Sequence, residues 1–323
     1  MKLLKLTAVI FIFFLMEPQQ ASAQDARLTN EREIKVAEYS SKTVYKTVMV
    51  NGLKIFYREA GSTKSPTILL LHGFPSSSRM FNSLFALLKD HFHLIAPDYP
   101  GFGHSDYPST SEFQYTFDHL AEIMDKFTEA IHLKSYNLYL QDYGGPIGMR
   151  MAILNPQRIA SIIIQNAVSH DEGLSPLWAK RKAFWKDSAA NVQTLIANFT
   201  SPNATRQRHI GGSPHPEAID PDTWTDELAW LNTPGVLKAQ IDLFYDYQNN
   251  VANYPKFQKW LRVRHPRLLV LWGRYDLSFT VAGAYAYQQD VPDAEIHILD
   301  AGHFALDEAA PEIASYIRQF LRQ

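Results

Sequence analysis

The chain has 323 residues, 46% hydrophobic and 20% charged, a balance that excludes disordered, collagenous and coiled-coil proteins. A formal charge of −2, with no basic excess, argues against nucleic acid as a partner. The absence of cysteine excludes disulfide frameworks, thiolate metal sites, thiol nucleophiles and cysteine-linked lipid anchors.

Lys2 and Lys5 precede an apolar run, Leu6 to Met16, that is short for a bilayer span. Ala21-Ser22-Ala23 then supplies a small-residue cleavage pattern before Gln24. Residues 1–23 therefore read as a cleaved signal peptide, which implies a periplasmic or secreted protein with no membrane attachment after cleavage. Without Lys2, Lys5 and Glu17 the mature chain keeps 29 basic and 32 acidic residues, a net charge of −3. From Gln24 to about Lys42 the sequence is a polar lead-in.

Thr43–Val50 and Leu53–Ala60 are β-rich runs around Asn51-Gly52, a strong hairpin signal. Apolar runs follow at Thr67–Leu71, Phe92–Ala96, Tyr136–Leu140, Ile159–Gln165, Leu268–Trp272 and Glu295–Leu299. Several are apolar at nearly every position, as strands covered on both faces must be. Met80–Lys89, Phe117–Ile131, Pro146–Leu154, Val281–Asp290 and Ala310–Leu321 fit a helical period between and after them. The pattern predicts an α/β protein whose eight-stranded sheet starts antiparallel and continues mostly parallel, flanked by helices. The alternation breaks between Gln165 and Leu268, an aromatic-rich stretch of about one hundred residues, far too long for a structureless loop. The expected organisation is a core over 24–168 and 265–323, with a helical cap inserted at 169–264.

Four segments carry chemistry, each expected at the C-terminal end of a strand, where open α/β sheets bind ligands. In Leu140-Gln141-Asp142-Tyr143-Gly144-Gly145 a strand runs into a residue followed by two glycines and a helix. That is the layout of a nucleophile elbow, with Asp142 at its tip. The helix start behind the turn favours an ionised Asp142. In Leu70-Leu71-His72-Gly73-Phe74-Pro75 the Phe74 N–H is expected to pair with the Tyr143 N–H as an oxyanion hole, with His72 holding the loop. Asp276, in Trp272-Gly273-Arg274-Tyr275-Asp276, is placed to orient an imidazole. His303, in Ala301-Gly302-His303-Phe304, is the imidazole to be oriented. The chain order Asp142, Asp276, His303 is the nucleophile–acid–histidine order of the α/β-hydrolases. Asp98 and the glycines after it read as a structural turn. No metal or other cofactor is expected.

On these motifs the chain from Val44 onward resembles the α/β-hydrolase superfamily. It is similar to the epoxide hydrolase and haloalkane dehalogenase branch, whose nucleophile is an aspartate. His72-Gly73-Phe74-Pro75 resembles the HGxP motif of epoxide hydrolases. An aspartate nucleophile suits a saturated electrophilic carbon, on which it forms an alkyl-enzyme ester, whereas attack on an ester would give an anhydride. A small apolar electrophile is therefore the expected partner, an epoxide first and a haloalkane or haloacid second. A water activated by His303 would then hydrolyse the ester. A non-catalytic binder on the same fold is a third reading, which the Asp142–Asp276–His303 set opposes.

The resemblance also implies cap tyrosines that protonate the epoxide oxygen. Tyr247 matches the family's second cap tyrosine best and Tyr245 is the runner-up; two residues apart on a helix, they do not share a face. No tyrosine stands between Tyr143 and Tyr245 to serve as the first, and Trp178, Trp185 and His209 are the substitutes at hand. Trp178 and Trp185 are expected pocket walls, and Trp185 with Tyr247 would form a halide site.

Overall fold

A computed structural model describes residues 42–322. The expected signal peptide and most of the polar lead-in lie outside the described residues. Asn51 and Gly52 take the left-handed backbone a two-residue hairpin turn demands, with φ of 49° and 81°. β1 (Val44–Val50) therefore pairs antiparallel with β2 (Leu53–Ala60), Val50 opposite Leu53.

The remaining strands are β3 (Thr67–Leu71), β4 (His93–Pro97), β5 (Tyr136–Gln141), β6 (Ile159–Gln165), β7 (Leu268–Gly273) and β8 (Glu295–Leu299). They form one eight-stranded sheet in the order β1-β2-β4-β3-β5-β6-β7-β8. β2 meets β4 antiparallel, and every later pairing is parallel. The C-terminal ends of β3, β5, β6, β7 and β8 thus share one rim.

The core helices before the long break are α1 (Asn82–Leu88), α2 (Phe117–Ala130) and α3 (Gly144–Leu154). Between β6 and β7 the chain forms α4 (Trp178–Lys186), α5 (Ser188–Thr200), α6 (Pro202–Ile210), α7 (Asp222–Leu231) and α8 (Val236–Arg264). α9 (Val281–Ala286) and α10 (Leu306–Arg322) complete the core. α10 starts earlier than the periodicity suggested, because two helical segments meet at Ala309 and Pro311 sits in the first turn of the second.

Residue alternation explains the layering. Leu69, Leu71, Leu138 and Leu140 point to one face and pack with Phe117, Leu120, Met124 and Phe127 of α2. Ile68, Leu70, Tyr139 and Leu269 point to the other and pack with Leu84 and Leu88 of α1 and Ile313 and Ile317 of α10. Each fully buried aliphatic side chain contributes about 1.5–3 kcal/mol, so a one-residue slip in any central strand is strongly disfavoured.

Short polar caps punctuate the insertion. Asp187 accepts from the Ala190 N–H at 3.0 Å to start α5, and Ser201 accepts from the Ala204 N–H at 3.2 Å to start α6. Asp246 of α8 accepts from the Phe117 N–H at 2.8 Å, capping α2 and fixing α8 against the core. Among the described residues no helix is long and apolar enough to cross a membrane.

Candidate active site

At the end of β5 the chain turns within two residues. Asp142 takes φ 47°, left-handed and strained for a residue with a side chain, and α3 begins at Gly144. A Cβ on Gly144 would stand 2.1 Å from the Leu71 carbonyl oxygen, and one on Gly73 would stand 2.4 Å from the Asp142 Cβ. The glycines let the β3 loop and the elbow touch. Because the obstacle at Gly144 is β3 backbone, Gly144→Ala should cost on the order of 1–3 kcal/mol, read as a lower midpoint in thermal unfolding. An unchanged midpoint would mean that the loop yields freely.

The two loops meet at the carboxylate. The Phe74 N–H donates to Asp142 Oδ1 at 2.9 Å. His72 is fully buried, donates from Nδ1 to the Gly73 carbonyl at 3.0 Å and stacks on Tyr99. Burial pushes its pKa down, so it braces the loop as a neutral ring.

Asp276 and His303 arrive from the ends of β7 and β8. Asp276 Oδ1 accepts from the N–H groups of Ser278 at 2.7 Å and Phe279 at 3.1 Å. Its Oδ2 accepts from Asn166 Nδ2 at 2.8 Å and His303 Nδ1 at 2.7 Å. His303 Nε2 lies 3.7 Å from Asp142 Oδ2. Gln141 Nε2 donates to that same imidazole nitrogen at 3.3 Å. With Nδ1–H spent on Asp276, Nε2 carries the lone pair, which accepts weakly from Gln141 beside Asp142 and can take a proton there.

The electrostatics follow. Burial raises the Asp142 pKa above its ordinary value; His303, the Phe74 and Tyr143 N–H groups and Arg181 pull it back only in part. Burial lowers the His303 pKa, but the charge and hydrogen bond of Asp276, with Asp142 beyond, outweigh it and leave a net rise.

Above the carboxylate is a cavity of about 900 Å³ between the sheet rim and the insertion, lined by Asp142, His303, Asp276, Phe74, Tyr143, Trp178 and Tyr247 among others. Tyr247 is buried, and burial pushes its phenol pKa well up, so it stays protonated. Trp178 lines the cavity but donates its indole N–H to the Ser278 carbonyl at 2.9 Å.

Three expectations are corrected. Tyr245, on the other side of α8 from Tyr247, is 44% exposed and faces a separate depression. Trp185 stands behind Tyr247, ring parallel to ring, and donates its N–H to the Phe244 carbonyl at 2.8 Å; it is not among the cavity's lining residues. His209 is buried between Asp307 at 2.9 Å and Glu227 at 2.8 Å, which overcome the opposing effect of burial and raise its pKa to about 9. It is a strut between α6 and the core.

Several residues escaped sequence reasoning. Asn166, at the end of β6 with φ 44°, ties Asp276 to the Gly273 N–H. An asparagine past a strand reads as an ordinary turn. Tyr143, counted only for its backbone, brings a ring centre within 5.8 Å of that of Tyr247, and its buried hydroxyl makes no hydrogen bond. Arg181 and Arg208 also line the cavity, although basic residues on a helix ordinarily read as surface charge. Among the described residues no cluster of three or more ligating side chains could hold a metal ion.

Residues 66–310 match the model of the alpha/beta hydrolase fold family. The chain belongs to the α/β-hydrolase family. This hydrolase is 40% identical over 277 residues to an uncharacterized hydrolase of Saccharomyces cerevisiae, covering 84% of this chain and 95% of the yeast one. It is 24% identical to epoxide hydrolase 2 of Caenorhabditis elegans, covering 86% and 80% of the two chains. The haloalkane dehalogenase DatA from Agrobacterium tumefaciens C58 superposes with a TM-score of 0.72 at 25% identity, covering 87% and 97%. The α/β-hydrolase therefore sits in the branch that holds epoxide hydrolases and haloalkane dehalogenases.

Proposed function

We propose that this α/β-hydrolase opens epoxides to vicinal diols through an ester on Asp142. The observation that carries the reading is the Tyr247 phenol, kept protonated in the same cavity as the Asp142 carboxylate. An Asp142 oxygen attacks one oxirane carbon, the carbon–oxygen bond breaks, and Tyr247 gives its proton to the departing oxygen. His303 Nε2 then takes a proton from water, and the hydroxide adds to the ester carbonyl. The N–H groups of Phe74 and Tyr143 hold the resulting oxyanion. Collapse releases the diol and restores the carboxylate, and the proton gained by His303 makes good the one Tyr247 gave. One oxirane and one water become one diol.

The indoles of Trp178 and Trp185, which the sequence offered as walls of a halide site, are both committed to backbone carbonyls. The test runs a panel of epoxides in parallel with haloalkanes and haloacids, scoring diol and halide. Diol formation is expected; halide release without diol would overturn the reading. In Tyr247→Phe, epoxide opening should slow by on the order of 100-fold or more, measured in a single turnover. An unaltered rate would remove Tyr247 as the proton donor.

We propose further that residues 1–23 are cleaved on export, which makes the mature chain a periplasmic or extracellular enzyme, and that the insertion is a cap over the site. Mass spectrometry of the chain recovered from the native host, beginning at Gln24, would test the first.

A further inference from the structure

The cavity wall carries charge that the ester mechanism does not use. Arg181 of α4 and Arg208 of α6 both line it, and the Arg181 charge is one of the causes that push the Arg208 pKa down. The Arg181 guanidinium lies 4.2 Å from the centre of the Trp178 ring, which is itself 4.7 Å from that of Tyr247. The Arg208 guanidinium lies 5.5 Å from the centre of the Phe74 ring, the residue whose N–H meets Asp142. Each is half-buried, and among the described residues neither makes an ion pair.

Their hydrogen-bond partners are neutral. Arg181 donates to the Ser278 hydroxyl at 3.1 Å, and Arg208 to the Thr205 hydroxyl at 3.1 Å and the Asn198 carbonyl at 2.9 Å. Of the neighbouring carboxylates, Asp276 is taken by His303, Asn166 and two backbone N–H groups, while Glu227, whose charge is the largest compensation for Arg208, gives one oxygen to His209 and is not among the cavity's lining residues. Desolvation presses on both guanidiniums and lowers the Arg208 pKa to about 10. For Arg181 the largest compensating charge is Asp142 itself.

That compensation ends when the reaction starts. Once Asp142 is an ester it carries no charge, and two desolvated cations face a cavity with no free anion in its wall. Uncompensated buried charge is costly, whereas an arginine fork is well matched to a carboxylate. We infer that the electrophile carries its own carboxylate, which Arg181 and Arg208 hold while its reactive carbon meets Asp142. The substrate class is then an oxirane carboxylate, anionic at one end and apolar elsewhere, in place of the wholly apolar electrophile that the sequence suggested. This inference rests on the ester-forming reading and adds the specificity of that site.

The test uses matched probes on the full chain: 3-phenylglycidate and its neutral amide as substrates, and unreactive 3-phenylpropanoate and its amide as ligands for calorimetry. The wild type should prefer the carboxylate epoxide by at least tenfold in kcat/KM and bind 3-phenylpropanoate but not its amide. In Arg181→Gln and Arg208→Gln the preference should fall towards one, and Arg→Lys should restore part of it. Equal turnover of the two epoxides with no binding of 3-phenylpropanoate would overturn the inference and leave epoxide hydrolysis standing. Turnover of neither epoxide, with 3-phenylpropanoate still bound through the arginines, would overturn epoxide hydrolysis and leave the anion site standing. The wild-type preference is readable even where a variant fails to fold.

Discussion

Asp142→Asn is expected to reduce turnover to background, a loss of roughly 10,000-fold or more. The change is nearly isosteric: the amide oxygen can still accept from the Phe74 N–H, and the left-handed backbone at φ 47° is tolerated better by asparagine than by most residues. What disappears is the anionic oxygen that, in the proposed mechanism, makes the bond to carbon. The fold should not suffer. Asp142 has a folded-state pKa above its ordinary value, so above that pH its ionisation costs the folded state some stability. The neutral amide should leave the thermal midpoint unchanged or higher at neutral pH. Initial rates, a melting curve and an intact mass to exclude deamidation make the measurement complete. Turnover that persists with the asparagine intact would end the case for a carboxylate nucleophile.

Sequence legibility followed the physical constraint on each residue. The rim of the sheet was readable because few residue types satisfy it. Gly144 must clear the Leu71 carbonyl, and Gly73 must clear Asp142, so glycines mark the elbow and the loop in any reading of the chain. The central strands were readable because β3, β5 and β7 are buried along almost their whole length. The insertion was readable only as helical. Which side of α8 faces the cavity is decided by the Asp246 cap on α2, a contact between residues 129 apart, and it selects Tyr247 over Tyr245. Trp185 and Trp178 look alike in sequence, yet one stands behind Tyr247 and the other lines the cavity. The arginines were not readable at all. A guanidinium on an insertion helix has no local signature separating a solvated face from a cavity wall, because the difference lies in how α4 and α6 pack over the rim.

His303→Gln should separate the two halves of the reaction. Ester formation needs Asp142 and a proton donor, and neither is removed. Ester hydrolysis needs a base, and glutamine has none. The variant should therefore react once per chain and stop, with steady-state turnover down by on the order of 1,000-fold or more. Intact mass should show one covalent adduct per chain. Ring opening retains every substrate atom, so an epoxide adds its full mass, whereas an alkyl halide would add its mass less that of the hydrogen halide. The same residue sets the acid limb of the wild-type pH profile. Water activation requires a free Nε2, so the rate falls as pH drops through the His303 pKa, which lies above the ordinary 6.5 because Asp276 and Asp142 together outweigh burial. In the alkyl-enzyme the Asp142 charge is gone and only Asp276 still supports the imidazolium. Where ester hydrolysis limits turnover, the limb in kcat should then lie at lower pH than the titration of the His303 imidazole in the free enzyme, followed by NMR, and kcat/KM, which reports ester formation, should carry no limb from His303. Glutamine at 303 should abolish the limb in the residual hydrolysis rate. Absence of an adduct with any epoxide, or a wild-type kcat with no acid limb while ester hydrolysis limits turnover, would remove His303 from the step assigned to it.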